Sequence, residues 1–191
     1  MRAVDIIIQG IDSLDDLEKL DPKIADTLRQ AINETSQEAR RRGARSMEKQ
    51  VNFPRGYLTG QAGRLGIAKY ATKADPMAIV RGRDKPTSLA RFVQGKPELR
   101  KKGVNVSVKP GTSEFMPSAF LIKLGNNNIG LAFHSKDGKR PARGGKQLSK
   151  NTWLLYAPSV DQVWDETREE LKPELEELLR DKFDRIFASK Q

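Results

Sequence analysis

The sequence predicts an α+β fold, a small antiparallel β-sheet or barrel-like region flanked by a long N-terminal helix and a kinked C-terminal helix. Two observations predict it. Apolar residues recur at steps of three and four before Val51 and again after Ser159. Between Phe53 and Leu155 the chain instead breaks into short apolar runs separated by Gly, Pro, Asn and Asp. The 191 residues fit one domain of ordinary size. It divides into an N-terminal strand and helices over 1–52, a β-rich region with basic loops over 53–155, and a C-terminal helical segment over 156–191.

Taken in order, Ala3 to Ile11 carries Val4, Ile6, Ile7 and Ile8 before Gly10, the texture of a short buried strand. Ser13 is placed to cap a brief helix whose first turn contains Asp15 and Asp16. Asp5 inside so short an apolar run fits neither a signal peptide nor a membrane span, so synthesis and use in the cytoplasm are expected. Asp21-Pro22 then restarts the chain as N-cap and first helical residue. Ile24, Leu28, Ala31, Ile32, Thr35 and Ala39 form one stripe of a helix reaching about Lys49, roughly 40 Å at 1.5 Å per residue. Arg40, Arg41, Arg42, Arg45 and Lys49 load its second half with cations, which the negative end of the helix dipole favours.

Strands are expected over Leu65 to Thr72, Met77 to Arg81, Val104 to Lys109, Ala119 to Leu124 and Ile129 to His134. Gly125-Asn126-Asn127-Asn128 suits a hairpin turn, because Gly and Asn tolerate positive φ. Lys136 to Lys150 holds too little apolar material to bury and is expected as an exposed loop, with Lys96 to Gly103 as a second. Ser159 and Gln162 have capping-box spacing at the start of the last helix. Val160, Val163, Trp164, Thr167 and Leu171 form its first stripe, and Leu175, Leu178, Leu179, Phe183, Ile186 and Phe187 its second. Pro173 between them is expected to kink or break it.

Hydrophobic residues make up 37% and charged residues 31%, short on apolar material for a monomer but suited to a subunit that completes its burial against neighbours. The absence of cysteine excludes disulfides, thiolate chemistry and zinc sites built on Cys. His134 is the sole histidine and has no identifiable catalytic partner. Gly138 to Gly145 lacks the strand-loop-helix order and the Gly-Lys-Ser/Thr ending of a phosphate loop. The carboxylates of the last helix interleave with Lys172, Arg180, Lys182 and Arg185, as on a solvated face, with Asp181 and Arg185 at ion-pair spacing. Trp153, Tyr156 and Trp164 suit core or interface packing better than base stacking. No enzyme and no cofactor is expected.

The formal net charge is +10 and the sequence pI about 9.9. Lys and Arg dominate from Arg64 to Lys150, while the chain after Val160 is rich in Asp and Glu. The candidate contact residues are Arg81, Arg83, Lys85, Arg91, Arg100, Lys101, Lys102, Lys136, Lys139, Arg140, Arg143 and Lys146. Three roles remain open for them: solvated loops, phosphate contacts that ignore sequence, or docking against acidic tails of adjacent subunits.

Three ordered blocks carry a family resemblance. Met116-Pro117-Ser118-Ala119-Phe120-Leu121-Ile122, then Gly125 to Gly130-Leu131-Ala132-Phe133, then Tyr156-Ala157-Pro158-Ser159-Val160-Asp161-Gln162-Val163-Trp164 resemble the blocks of the prophage minor tail protein Z family. The matching positions are Pro117, Ala119, Phe120, Gly130, Phe133, Pro158, Ser159, Val160 and Gln162, all structural. The resemblance implies a structural virion protein of a tailed bacteriophage that completes the tail or joins head to tail at the neck. It implies a homo-oligomeric ring, a hexamer in the family, that meets other neck and tail proteins. Non-specific contact with packaged DNA is compatible with it, no membrane is involved, and the protein is made in the host cytoplasm and carried into the virion. A basic nucleic-acid-binding module without catalytic activity is the alternative.

Overall fold

A computed structural model of the chain describes residues 5–6, 21–61, 63–142 and 145–190. Among the described residues, two helices of 29 residues, α1 (Pro22–Gln50) and α2 (Val160–Ala188), bracket ten of eleven short strands, the first strand lying before α1. In chain order these are β1 (Asp5–Ile6), β2 (Leu65–Lys69), β3 (Ala78–Gly82), β4 (Thr87–Ser88), β5 (Val104–Val106), β6 (Glu114–Met116), β7 (Ala119–Lys123), β8 (Ile129–His134), β9 (Lys146–Ser149), β10 (Thr152–Leu154) and β11 (Tyr156–Ala157). A 3-10 turn at Leu89–Phe92 follows β4. The strands pair antiparallel in four small sheets, ordered β1-β3-β2, β7-β8-β10-β9, β11-β4 and β5-β6. The fold is thus α+β as expected, its antiparallel β region made, among the described residues, of several small sheets. Of the expected N-terminal strand only Asp5–Ile6 is described, paired with β3; the helix expected after Ser13 lies outside the described residues.

Both helix starts follow their local chemistry. Asp21 Oδ1 accepts from the Lys23 amide at 2.7 Å, and Pro22 occupies the first turn, where no N–H is needed. Ser159 Oγ accepts from the Gln162 amide at 3.1 Å while Gln162 Oε1 accepts from the Ser159 amide at 2.9 Å, the reciprocal capping box. α2 runs unbroken through Pro173, so of the expected kink or break the break does not occur. Pro173 is solvent-exposed, where the carbonyl it leaves without an intrahelical donor is open to water.

The strand ends differ from expectation where side chains from elsewhere take up backbone groups. β2 stops at Lys69 instead of Thr72 because Asn33 of α1 engages both polar groups of Ala71, donating to its carbonyl at 3.0 Å and accepting from its amide at 2.8 Å. β5 stops at Val106 instead of Lys109 because the Ser107 amide donates to the Phe92 carbonyl and the Val108 carbonyl accepts from the Asn52 amide. The hairpin between β7 and β8 forms as expected. Its three-residue loop Gly125–Asn127 is closed by Leu124 N–H to Asn128 at 2.8 Å, with Asn127 left-handed at φ 64°. The Lys136 to Lys150 segment is not wholly loop, since its last residues form β9 against β10. All four residues of β9 are exposed; an edge strand needs a ladder partner and no burial, which apolar content alone does not reveal.

The core lies between the helices and the inner faces of the sheets. Leu58, Leu65, Val80, Leu89, Leu131 and Leu155 are fully buried in it. Trp164, 1% exposed, sits where α1 has Gly43: a Cβ on Gly43 would lie 2.2 Å from the indole ring. The indole N–H donates to the Val80 carbonyl of β3 at 3.3 Å. One side chain therefore joins both helices and a sheet. Elsewhere α1 presents Thr27, Ala31, Thr35, Ser36, Ala39 and Ala44, small buried residues that admit close approach.

The helices run antiparallel, as their cross-links require. Lys190 donates to Asp26 and Lys182 to Glu34, each at 2.7 Å, Arg42 donates to Glu174, and Gln50 meets Thr167 at 3.2 Å. Arg185 also joins Glu34 at 3.0 Å, in place of the expected partner Asp181. The Lys190 hydrogen bond, with Arg29 second, lowers the Asp26 pKa from 3.8 to about 2. The Lys182 hydrogen bond lowers that of Glu34 from 4.5. Both groups are depressed acids, so their contribution is fully present above their unfolded pKa values and disappears as pH falls below them toward 2.

Two predictions test this packing. Gly43→Ala gains up to about 1 kcal/mol of helix propensity but overpacks the indole notch at a cost of about 1–3 kcal/mol. Net loss of stability in urea titration is expected, and equal or higher stability would show that the indole is not seated there. In the double variant Asp26→Asn, Glu34→Gln, the drop in melting temperature between about pH 6 and pH 3 is expected to shrink. An unaltered drop would place the acid sensitivity elsewhere.

Candidate functional site

The charges of the surface are segregated. α2 carries ten acidic and five basic residues and exposes Asp165, Glu166, Glu169, Glu170, Glu176, Glu177, Asp181 and Asp184 to solvent. With α2 net negative in a chain of charge +10, the excess of cations lies on the rest of the molecule, and two grooves collect part of it.

The first groove, about 460 Å³, runs between β2 and β3. Three of the residues singled out in the sequence, Arg81, Arg83 and Lys85, line it together, and the fold adds Arg64. Strand register makes the convergence. Leu65 faces Gly82 and Gly66 faces Arg81, and the Arg83 amide donates to the Arg64 carbonyl at 2.8 Å, setting Arg64 opposite Arg83. Glycine at 63 and 66 lowers the walls. Gly82 has no room for a side chain, since its Cβ would lie 2.7 Å from the backbone of Asp161. The Arg64 guanidinium lies 6.0 Å from the Tyr57 ring, whose other cationic neighbour is Arg91 at 5.0 Å. Asp84 also lines the groove. Nearby, desolvation raises the Asp161 pKa, helped by the negative charges of Asp165 and Asp84 and opposed by Arg168 and Arg81.

The second groove, about 650 Å³, lies beside the start of α2 and brings Arg140 and Lys146 to Tyr156, Pro158 and Gln162. Arg143 lies outside the described residues. The remaining candidates are dispersed. Lys136 and Lys139 are exposed beside Asp137. The hydroxyl of Ser135, donating at 2.6 Å, and the Lys139 amide hold the Asp137 pKa below its ordinary value. Arg100, Lys101 and Lys102 stand on the loop before β5. That loop is pinned along β7 by Arg100 N–H to Leu121 at 2.8 Å and Gly103 N–H to Ala119 at 3.0 Å, and Arg100 takes φ 65°. Phe115 on β6 is 59% exposed, its ring lying across Gly103.

The family-like positions occupy one structural unit. Ala119 and Phe120 of β7 pair directly with Phe133 and Ala132 of β8. Gly130 is backed by Leu154 of β10, whose methyl would lie 2.5 Å from a Cβ there. β11 continues from β10 through Pro158 into the capping box and α2. Pro117 is exposed between β6 and β7, and Val160 is fully buried. Trp164 is core, as its apolar spacing implies, while Trp153 and Tyr156 are half-buried. His134 pairs with Thr152 in the sheet and its amide donates to Ser118 at 3.1 Å.

Two surface residues escape sequence inspection. Arg64 belongs to a general basic excess until register sets it opposite Arg83. Phe115 resembles any strand aromatic until its ring is placed outside the core. The only advance signal was the glycine pair at 63 and 66 around Arg64. No protein-family model matches the chain, and no curated protein or solved structure shows significant similarity to it.

The junction of the family-like unit and α2 gives a direct test. Ser159→Ala removes the hydroxyl half of the capping box and is expected to cost about 0.5–2 kcal/mol. The urea midpoint would fall with the slope unchanged. A loss below that range would mean that the start of α2 is held by packing of Val160 and Trp164 alone.

Proposed function

We propose that the protein is a non-enzymatic structural component of a tailed bacteriophage, a tail-completion or head-tail-joining subunit that assembles as a ring at the neck or upper tail. The observation that carries this reading is the placement of the three family-like blocks. Separated by up to 22 residues between Phe133 and Tyr156, they form one continuous path from β7 and β8 through β10 and β11 into α2. Their chemistry is that of a scaffold: a tight sheet contact at Gly130, a helix cap at Ser159, a core residue at Val160.

The segregated surface supports a subunit that meets copies of itself. A head-to-tail ring joins two different faces of each protomer, and opposite charges on those faces set register and speed docking. The acidic exterior of α2 and the basic exterior of the β region supply such a pair. The family's ring is hexameric, and the same number is proposed here, with other neck and tail proteins above and below.

The test is electron microscopy of particles from a host carrying the phage genome with this gene deleted, beside a complemented control. Separate or misjoined heads and tails, repaired by complementation, are expected. Normal virions would reject the proposal.

A further inference from the structure

We propose that the groove between β2 and β3 is a phosphate-backbone site, in which Arg64, Arg81, Arg83 and Lys85 hold successive phosphates of a nucleic acid strand without reading its bases. The inference rests on the groove and not on the virion reading.

The fold brings these cations together against their own repulsion. Arg64 and Arg83 face each other across the strand pair, and like charges in directly opposed positions destabilise a sheet. The helical cations are answered differently: Arg42, Lys182, Arg185 and Lys190 each reach a carboxylate. Among the described residues, Arg81, Arg83 and Lys85 make no side-chain hydrogen bond and no ion pair within 4.0 Å, although Arg81 lies close enough to Asp161 to oppose the rise of its pKa. The Nε of Arg64 is sealed from solvent and has no hydrogen-bond partner. Asp84 is the one carboxylate among the lining residues, against four cations.

The spacing suits the ligand class. Arg81 and Arg83 are alternate residues of one extended segment, about 6.6–6.8 Å apart along the chain. Their side chains share one face of the strand, so each can reach a different phosphate along one nucleic acid strand. Gly66 opposite Arg81 leaves that side chain uncovered, and the low glycine walls admit a backbone more readily than a bulky side chain. An acidic protein surface, which offers carboxylates on flexible stems, is the rival occupant.

The experiment measures binding of a fluorescent DNA duplex to the full chain by anisotropy over a range of salt. Each phosphate contact contributes about 0.9 to the slope of log affinity against log salt. Arg81→Gln, Arg83→Gln together are therefore expected to reduce the slope by about 1.8, with a melting temperature equal to or above that of the parent because repulsion is relieved. Lys101→Gln, Lys102→Gln, on the separate loop before β5, is expected to reduce it by less than half as much. No binding by the parent at low salt, an unchanged slope in the groove variant, or an equal loss in both variants would overturn the proposal. Competition by polyglutamate as effective as that by unlabelled duplex would overturn it in favour of an acidic protein partner. None of these outcomes bears on head-tail joining, which the gene deletion tests by itself.

Discussion

The seating of Trp164 on Gly43 is the contact on which the rest of the arrangement depends. The indole fills the space that any other residue at 43 would occupy and spends its one donor on β3. It sets how closely the helices approach and where they stand relative to the sheet. A buried indole N–H without a partner is costly, so the Val80 carbonyl fixes the ring's orientation as well as its depth. Burial around it is shared by both helices and by β2, β3 and the 3-10 turn.

The polar links between the helices act on register more than on stability. From Asp26 to Glu34 to Arg42, each advance of eight residues along α1 meets a retreat of eight along α2, to Lys190, Lys182 and Glu174. Ion pairs this exposed contribute little each. Their order of sign discriminates, however: a slip of eight residues one way sets Arg42 against Lys182, and the other way Glu34 against Glu174. The charges thus reinforce the alignment that the Trp164–Gly43 contact sets.

Sequence reasoning recovered what is encoded locally. Asp21-Pro22 and Ser159 with Gln162 locate the helix starts because a cap is a contact between residues two or three apart. β8 has its expected bounds because its apolar run and its Asn-rich turn are contiguous. Strands of two or three residues, such as β4, β6, β10 and β11, were not legible, for so short a run shows no periodicity and each exists through its ladder partner, which for β4 and β11 is far away in the chain. The same limit applies to the candidate site. The cations at 81, 83 and 85 are plain in the sequence, but their enclosure with Arg64 is a product of pairing. Pro173 shows the opposite case: its local preference against a helix interior does not end α2, which packs on both sides of it.

Gly82 has a mechanical meaning beyond its lack of a side chain. It presses directly on the backbone of Asp161, and the next residue's carbonyl accepts the Asp161 amide at 3.1 Å. The first turn of α2 and the rim of the β2-β3 groove are consequently one rigid joint. The start of the acidic helix and Arg83 are therefore held in register through backbone atoms, whatever side chains stand at 83 and 161.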